Sequence, residues 1–188
     1  MEQIKELTKR LIANSFKELM LQLPFEKITI KMITDHANVI RPTFYNHFHD
    51  KYELLEWILQ DEILERAEEC FHLGDGSNAI QSIISGMYEE RDFYRKAFDV
   101  EGQNGFAETF ASKLAAMFRK ASGIQNITGD NADAKQELVS RYYASGLITV
   151  IRFMIFDAGD MKTDDIIMLY KHLVNHTVYD VLSADKPE

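Results

Sequence analysis

The sequence predicts an all-α protein, and three observations support this fold class. Apolar residues recur at steps of three and four through most of the 188 residues. No segment shows the sustained alternation with a period of two that is typical of a half-buried strand. Three prolines and nine glycines are too few for the many turns of an all-β chain of this length. We therefore expect about nine helices and no sheet.

The first four helices are predicted from apolar spacing and from the residues that begin or end a helix. Pro24 ends the first helix, because proline disfavours helical backbone in the residue before it. Thr29 is placed as the N-cap of the second helix. Pro42 suits the first turn of the third helix, where a missing N–H costs nothing, and Asp50 is placed to cap the fourth. The predicted ranges are 3–22, 30–37, 41–48 and 51–72.

Five further helices are predicted after the interior break at residues 72–77. A polar connection, residues 123–133, separates the third and fourth of them, and a Gly-containing turn at 158–160 precedes the last. The predicted ranges are 78–90, 92–99, 105–121, 133–157 and 163–184.

The composition indicates a soluble globular protein. Hydrophobic residues make up 46% and charged residues 27% of the chain. The single cysteine, Cys70, excludes an internal disulfide framework and a Cys-rich zinc site. No run approaches 18 apolar residues, and the N-terminus lacks the apolar segment of a signal peptide. We expect a cytoplasmic protein with no membrane segment.

The second and third helices have the arrangement of a helix-turn-helix, because both are short and a turn of about three residues, 38–40, joins them. In that motif the second helix enters the major groove with its N-terminal side chains towards the base edges. Arg41 suits guanine, Asn46 suits adenine, and Thr43 or Pro42 suits a thymine methyl group. Other side chains could reach phosphates. The candidate DNA-contacting residues are Thr29, Lys31, Arg41, Pro42, Thr43, Tyr45, Asn46, His47 and Lys51.

The charge is unevenly distributed in a way that permits a local DNA contact. The whole chain has a net charge of −9. Residues 1–55 contain eight Lys/Arg and seven Asp/Glu, a net charge of +1, so the remaining residues carry −10. Acidity is therefore concentrated in the C-terminal two-thirds.

Residues 4–57 closely resemble the tetracycline-repressor (TetR) family of bacterial transcription factors. The most specific part is Thr43-Phe44-Tyr45-Asn46-His47-Phe48, followed by Lys51 and Leu54-Leu55. The resemblance implies a helix-turn-helix DNA-binding domain over 1–50 and a helical ligand-binding and dimerisation domain over 51–188. It also implies a homodimer that binds a palindromic operator, commonly as a repressor, and that a small-molecule effector releases. The apolar, Met- and Phe-containing C-terminal half resembles the branch of the family around DhaS, the dihydroxyacetone-kinase activator.

The turn departs from the family pattern. The family usually has Gly-Val-Ser where this chain has Asn38-Val39-Ile40. Asn tolerates the left-handed backbone of a turn. Ile40 cannot accept the capping hydrogen bond of the family's Ser, a loss of roughly 0.5–2 kcal/mol. Ile40 and the charge of −9 favour an alternative: a protein-interaction module of this fold, or a coactivator-type regulator, without specific DNA binding.

The last two predicted helices, about 133–157 and 163–184, are candidates for the dimer contact. Both carry apolar residues at steps of three and four, and Gly146 lies in the middle of the first. A glycine within a helix costs about 1 kcal/mol and is easiest to explain where another helix packs close to it. Two such helices from each chain would form a four-helix bundle across a two-fold axis.

Aromatic residues and methionines of the C-terminal half are candidates for an effector pocket, although each taken singly is more readily explained as core. A solidly packed core over residues 80–155 would exclude this pocket. The candidate residues are Met87, Tyr88, Tyr94, Phe98, Phe110, Met117, Phe118, Tyr142, Tyr143 and Phe153.

Catalytic and metal chemistry is not predicted. His172 and His176 lie one helical turn apart, but the sequence shows no third ligand, so a surface or interface position explains them better. Gly-x-Gly-x-x-Gly, P-loop and Gly-x-Ser-x-Gly motifs do not occur. We predict no enzyme, no metal site and no cofactor, and an enzyme ranks third behind a regulator and an interaction module.

Overall fold

The structure, a computed structural model, describes residues 2–102, 105–176 and 180. Over these residues it contains helices and no strand, so the all-α prediction is confirmed. The helices are α1 (Glu2–Gln22), α2 (Ile30–His36), α3 (Arg41–Tyr45), α4 (Lys51–Ile58), α5 (Glu65–His72), α6 (Gly76–Glu89), α7 (Arg91–Phe98), α8 (Phe106–Arg119), α9 (Ser122–Gln125), α10 (Ala132–Phe156) and α11 (Thr163–Asn175).

Three boundaries differ from the sequence-based ranges. The third helix ends at Tyr45 rather than near residue 48, because the chain tightens there and the His47 amide donates to the Phe44 carbonyl at 2.9 Å. The short helix α9 lies inside the predicted polar connection. The last helix ends at Asn175 and is followed by His176 in extended backbone; of the remaining predicted range, 177–184, only Asp180 is among the described residues.

The predicted N-caps form as expected. The Thr29 hydroxyl accepts a hydrogen bond from the Met32 amide at 3.2 Å. The Asp50 carboxylate accepts from the amides of Tyr52 and Glu53 at 2.8 and 2.9 Å. These bonds satisfy donors that the first turn of a helix leaves unpaired.

Helices α4 and α5 are the two ends of one continuous helix over residues 51–72, here called the connecting helix. Its middle, Leu59–Leu64, is a π-helical segment. Helix α6 packs directly on this segment, since a Cβ atom built on Gly86 would lie 2.9 Å from Ile63 Cδ1. Glycine therefore allows the backbone of α6 to approach the point where the connecting helix widens.

The hydrophobic core is continuous from α1 to α11. In the N-terminal part, Phe16, Phe44 and Phe48 are buried. In the C-terminal part, the rings of Phe98 and Phe110 lie 5.1 and 6.0 Å from the ring of Phe106. Helices α1–α3 and the C-terminal helices therefore share one packed interior.

An ion-pair cluster ties α1 to the connecting helix and to the junction of α6 and α7. The Lys17 ammonium, whose side chain is largely buried, lies 2.9 Å from the Glu62 carboxylate and also contacts the Glu90 carboxylate. Two turns earlier in α1, Arg10 pairs with Asp61 at 3.2 Å. Burial raises the pKa of both Asp61 and Glu62, and the neighbouring Arg10 and Lys17 act on them in the opposite direction.

Helix α10 is long and apolar enough to cross a membrane by length and composition. Eight of its side chains are buried, among them Leu147, Ile151 and Met154. Its packing against α8 and the rest of the core accounts for these buried side chains.

Candidate nucleic-acid interface

The turn between α2 and α3 has the geometry that a helix-turn-helix requires. Asn38 takes a left-handed backbone conformation with φ of 53°, as its tolerance for that region predicts. The Val39 amide then donates to the Thr34 carbonyl at 3.0 Å. Thr34 itself is buried, and its hydroxyl donates to the Lys31 carbonyl at 3.0 Å. These contacts fix the direction in which α3 leaves the turn.

The predicted DNA-contacting residues fall into two groups by exposure. Thr43, His47 and Lys51 are half-buried. The others are exposed on α3 or at the start of α2: Thr29, Lys31, Arg41, Pro42, Tyr45 and Asn46. Phe44 points from the same helix into the core. Helix α3 therefore buries one side and offers the other to solvent, and the contacts of these residues with DNA stay a prediction.

Arg41 and Tyr45 form a pair on the exposed side of α3. Arg41 Nη2 donates to the Tyr45 hydroxyl at 3.0 Å, and the guanidinium lies 5.5 Å from the centre of the tyrosine ring. The pair spans one helical turn, so it restricts the rotamers of Arg41 before any ligand arrives. Most of the five N–H donors of Arg41 remain available for a base edge.

Ile40 occupies the N-cap position of α3 and makes no capping hydrogen bond through its side chain to any described residue. Its backbone is extended, with φ of −84° and ψ of 150°, as a capping residue requires. The side chain is 69% exposed, which is unusual for isoleucine. The expectation that this position lacks a cap is therefore confirmed, and an apolar group lies at the start of the recognition helix.

His47 lies close to lysines of α1. Partial burial of the imidazole, followed by the charges of Lys9 and Lys5, lowers the pKa of His47 below its ordinary value. The ring is therefore mainly neutral at neutral pH. An anion placed beside it would favour the protonated form and reverse this effect.

Lys51 has a role inside the protein that the sequence did not reveal. Its ammonium donates to the backbone carbonyls of Phe25 and Ile28 at 2.6 and 3.0 Å, and it lies 4.2 Å from the centre of the Phe25 ring. Burial lowers the pKa of Lys51. Two of its three N–H donors are thus used to join the segment before α2 to the start of the connecting helix. Only the third remains for a phosphate.

The predicted effector residues do not come together around one cavity. Tyr94, Phe98 and Phe110 are packed in the core, and Tyr142 and Phe153 lie on the outer face of α10. A cavity of about 470 Å³ lies instead between the end of the connecting helix and helices α6, α8, α10 and α11. Of the ten candidates, only Phe118 and Tyr143 line it.

Most of the residues around this cavity were missed because their spacing indicates only an amphipathic helix. Phe71, Ile80 and Ile167 belong to ordinary apolar stripes, and no local signal shows that their helices meet. The polar lining residues give no motif either. The missed lining residues include Phe71, Gln81, Ile167, Tyr170 and Lys171.

Two sequence models of known families match the chain. A model described as bacterial regulatory proteins of the tetR family matches residues 17–58. A model described as a transcriptional regulator C-terminal region matches residues 76–176, which is more than half of the chain. The first match contains the helix-turn-helix, and the second contains the cavity and helices α10 and α11.

Individual relatives agree with the family matches. The HTH-type dhaKLM operon transcriptional activator DhaS of Lactococcus lactis subsp. lactis (strain IL1403) is 25% identical over 171 residues, which are 90% of this chain and 88% of the relative. A solved structure of the dihydroxyacetone kinase operon activator DhaS has a TM-score of 0.61 at 23% identity and covers 89% of this chain and 92% of its own.

A second solved structure shows the same fold in a repressor. It is NalD, the secondary repressor of the MexAB-OprM multidrug efflux pump in Pseudomonas aeruginosa, with a TM-score of 0.61 at 17% identity. The likeness covers 90% of this chain and 96% of NalD.

We predict that Lys51→Met lowers the free energy of unfolding by about 1–3 kcal/mol, because it leaves the Ile28 carbonyl without its donor and removes a second donor from the Phe25 carbonyl. Lys31→Met is the matched control, since Lys31 is exposed and its ion pair with Asp35 is a weak i,i+4 pair at 3.7 Å. We expect it to change stability by less than about 0.5 kcal/mol. Urea denaturation followed by circular dichroism, at fixed protein concentration, measures both. Equal effects of the two substitutions would contradict the structural role of Lys51.

We predict that Ile40→Ser raises the free energy of unfolding by roughly 0.5–2 kcal/mol, because serine supplies the missing cap and little apolar burial is lost. Thr29→Ala, which removes the existing cap of α2, should lower it by a similar amount. Thermal unfolding of the two variants tests the pair. A loss of stability in Ile40→Ser would show that Ile40 packs against the protein and is not free.

Proposed function

Because the chain belongs to the TetR family of bacterial transcription regulators, we propose that it binds a palindromic operator as a homodimer and represses transcription from it. The observation that supports this proposal is the exposed side of α3. It presents residue types that suit contacts with bases, while the opposite side of the helix packs in the core of the matched helix-turn-helix. In this account residues 1–50 contact DNA, and residues 51–188 hold the dimer contact and the effector site.

Base reading is assigned to the first turns of α3. Arg41, held by Tyr45, would donate two hydrogen bonds to guanine, and Asn46 would pair with adenine. Pro42 and Thr43 would contact thymine methyl groups. Such contacts are specific because each base pair shows its own pattern in the major groove.

Phosphate contacts would flank these bases. Thr29 and Lys31 lie at the start of α2, and Tyr45 and His47 lie at the end of α3. Side chains at these positions fix the register of the helix on the duplex without reading sequence. For Lys51 the remaining N–H donor is the group that would reach a phosphate.

The dimer is assigned to an apolar stripe on the outer face of α10, together with the exposed side of α11. Leu138 and Tyr142 are 70% and 72% exposed, and Gly146, Thr149 and Phe153 continue the same face at helical spacing. Exposed apolar residues of α11 are Met168, Leu169 and Leu173. No described atom other than those of its own helix and chain neighbours lies within 4 Å of a Cβ built on Gly146. A helix from a second copy would explain both the exposed stripe and the glycine.

A small-molecule effector would release the operator if it bound one conformation of the dimer more tightly than the other. In the conformation that it favours, the two α3 helices would no longer match the spacing of the DNA grooves.

Activation of transcription is the alternative to repression. The relative DhaS is named as an activator, and an activator that works through a partner protein would use the same DNA-binding domain. A reporter gene under the operator separates the two, since loss of the protein raises expression for a repressor and lowers it for an activator. A protein-interaction module without specific DNA binding is the remaining alternative, favoured by the apolar Ile40 and the charge of −9.

The function is tested by fluorescence-anisotropy titration against the DNA upstream of the protein's own coding region, with scrambled DNA as control, at about 0.15 M salt. We expect binding at least ~10³-fold tighter than to scrambled DNA. Arg41→Ala or Asn46→Ala should lose about 1–3 kcal/mol of specific binding and little non-specific binding. Lys31→Met should weaken binding to both DNAs and reduce the salt slope by about 1. If the protein bound both DNAs with equal affinity, and if Arg41→Ala did not change that affinity, the result would favour the interaction module.

Operator binding should strengthen as the pH falls from about 7.5 towards 5.5, the range that includes the ordinary His pKa of about 6.5. The pKa of His47 is lowered in the free protein, and a nearby phosphate raises it in the complex. Binding therefore takes up a proton, and affinity rises with falling pH. His47→Gln should remove this part of the pH dependence while His36→Gln retains it. An identical pH profile in wild type and His47→Gln would place His47 away from the phosphates.

The dimer is tested by Gly146→Leu. A leucine here stabilises an isolated helix, because glycine costs about 1 kcal/mol, but it overpacks a close helix–helix contact by about 1–3 kcal/mol. We expect the dimer dissociation constant to rise about tenfold or more in sedimentation velocity. Lys96→Leu, which adds the same side chain at an exposed position of α7, should leave it unchanged. An unaltered dimer in Gly146→Leu would move the interface elsewhere.

A further inference from the structure

We propose that the 470 Å³ cavity between the connecting helix and helices α6, α8, α10 and α11 is a binding site for small apolar carboxylic acids. The regulatory part of this inference rests on the proposed function, because there such a ligand would act as the effector. Binding itself is a separate property that is measured without DNA.

The size and the lining of the cavity fit a small organic molecule. Its volume lies within the range of about 300–1,000 Å³ that small-molecule pockets occupy. Most of the wall is apolar, with Phe71, Ile80, Phe118, Ile167 and Val174 contributed by four different helices. Apolar surface of this kind would hold a hydrocarbon or aromatic body by removing it from water.

Hydrogen-bond donors are grouped on one side of the cavity. Tyr143 of α10 and the adjacent Tyr170 and Lys171 of α11 all line it. Neither tyrosine hydroxyl makes a hydrogen bond within the part of the chain that the structure describes. Burial and the neighbouring Tyr143 raise the pKa of Tyr170 to about 12, so that hydroxyl keeps its proton and remains a donor. The two phenols are thus near each other and lack a partner.

Lys171 adds a positive charge to the lining of the cavity. It forms no ion pair with any residue of the described ranges, and no Asp or Glu is among the described residues that line the cavity. Three donors, one of them cationic, match the oxygens of a carboxylate, which accepts hydrogen bonds and carries a negative charge. An alcohol or an amine of the same size would lack this complementarity.

The position of the cavity connects it to the reading helices. Phe71 belongs to the last turn of the connecting helix, whose first residue, Lys51, is bound to the carbonyls before α2. The opposite walls, α10 and α11, carry the apolar stripe assigned to the dimer. A ligand that separates Phe71 from Tyr170 would therefore act on the helix that carries the DNA-binding domain and on the helices that hold its partner.

The binding experiment is isothermal titration calorimetry of the full chain without DNA, with octanoate as the probe and octan-1-ol as the matched neutral probe. We expect one octanoate per chain. Lys171→Gln should weaken octanoate at least tenfold, because a charge-assisted hydrogen bond is lost, and should change octanol less than twofold. Tyr170→Phe should weaken octanoate about threefold or more. Lys96→Gln, an exposed lysine of α7 outside the cavity, should leave both probes unchanged.

A cavity-filling variant keeps the proposal testable if the polar variants misfold. Ile80→Trp should abolish binding of both probes while thermal unfolding shows an intact fold. Absence of saturable octanoate binding to the wild type would overturn the proposal. Two further results would overturn it. One is that Lys171→Gln weakens the binding of octanoate and octanol equally, and the other is that Ile80→Trp leaves octanoate binding intact.

Operator titration with and without octanoate separates this proposal from the proposed function. Calorimetric binding that depends on Lys171, together with unchanged operator affinity, would support the site and remove its effector role. Operator binding without any octanoate binding would support the regulator and overturn the site.

Discussion

The contact of Lys51 with the carbonyls of Phe25 and Ile28 is the constraint on which the arrangement of the DNA-reading helices depends. The segment from Pro24 to Thr29 holds one 3-10 turn, Phe25–Lys27, whose backbone hydrogen bonds reach the Pro24 and Phe25 carbonyls but not that of Ile28. A cation at the first residue of the connecting helix satisfies its carbonyls and fixes where α2 begins. Asp50 caps the same helix one residue earlier. The position of α3 is therefore set by the start of the connecting helix as well as by the turn at Asn38.

The connecting helix also explains how the two ends of the chain could influence each other. Its π-helical middle carries Asp61 and Glu62, which pair with Arg10 and Lys17 of α1. Glu90 shares Lys17, so α1 is bound to the C-terminal helices as well. π-Helical segments are local, strained insertions that are frequent at functional sites. A change in the tilt of this helix would alter the ion pairs and the orientation of the reading helices together.

The sequence was sufficient for the fold class, most helix ranges and the recognition helix, because these depend on local signals. Apolar spacing, the caps Thr29 and Asp50, and the Thr43–Phe48 motif all lie within a few residues of the structure that they predict. The role of Lys51 was not predictable, since its partners lie 23 and 26 positions earlier in the chain. The cavity was missed for the same reason. Phe71, Tyr143 and Tyr170 are distant in sequence, and their spacing alone indicates only buried helix faces.

The central claim is that two copies of this chain present two α3 helices to one face of DNA. Hydroxyl-radical footprinting of the upstream DNA tests it most directly. Binding as a dimer predicts two protected segments related by a two-fold axis, with centres one helical turn (about 34–36 Å) or a multiple of it apart, because each recognition helix of a dimer enters a successive major groove. Gly146→Leu should weaken both segments together. A single protected segment, or uniform protection without symmetry, would contradict the account.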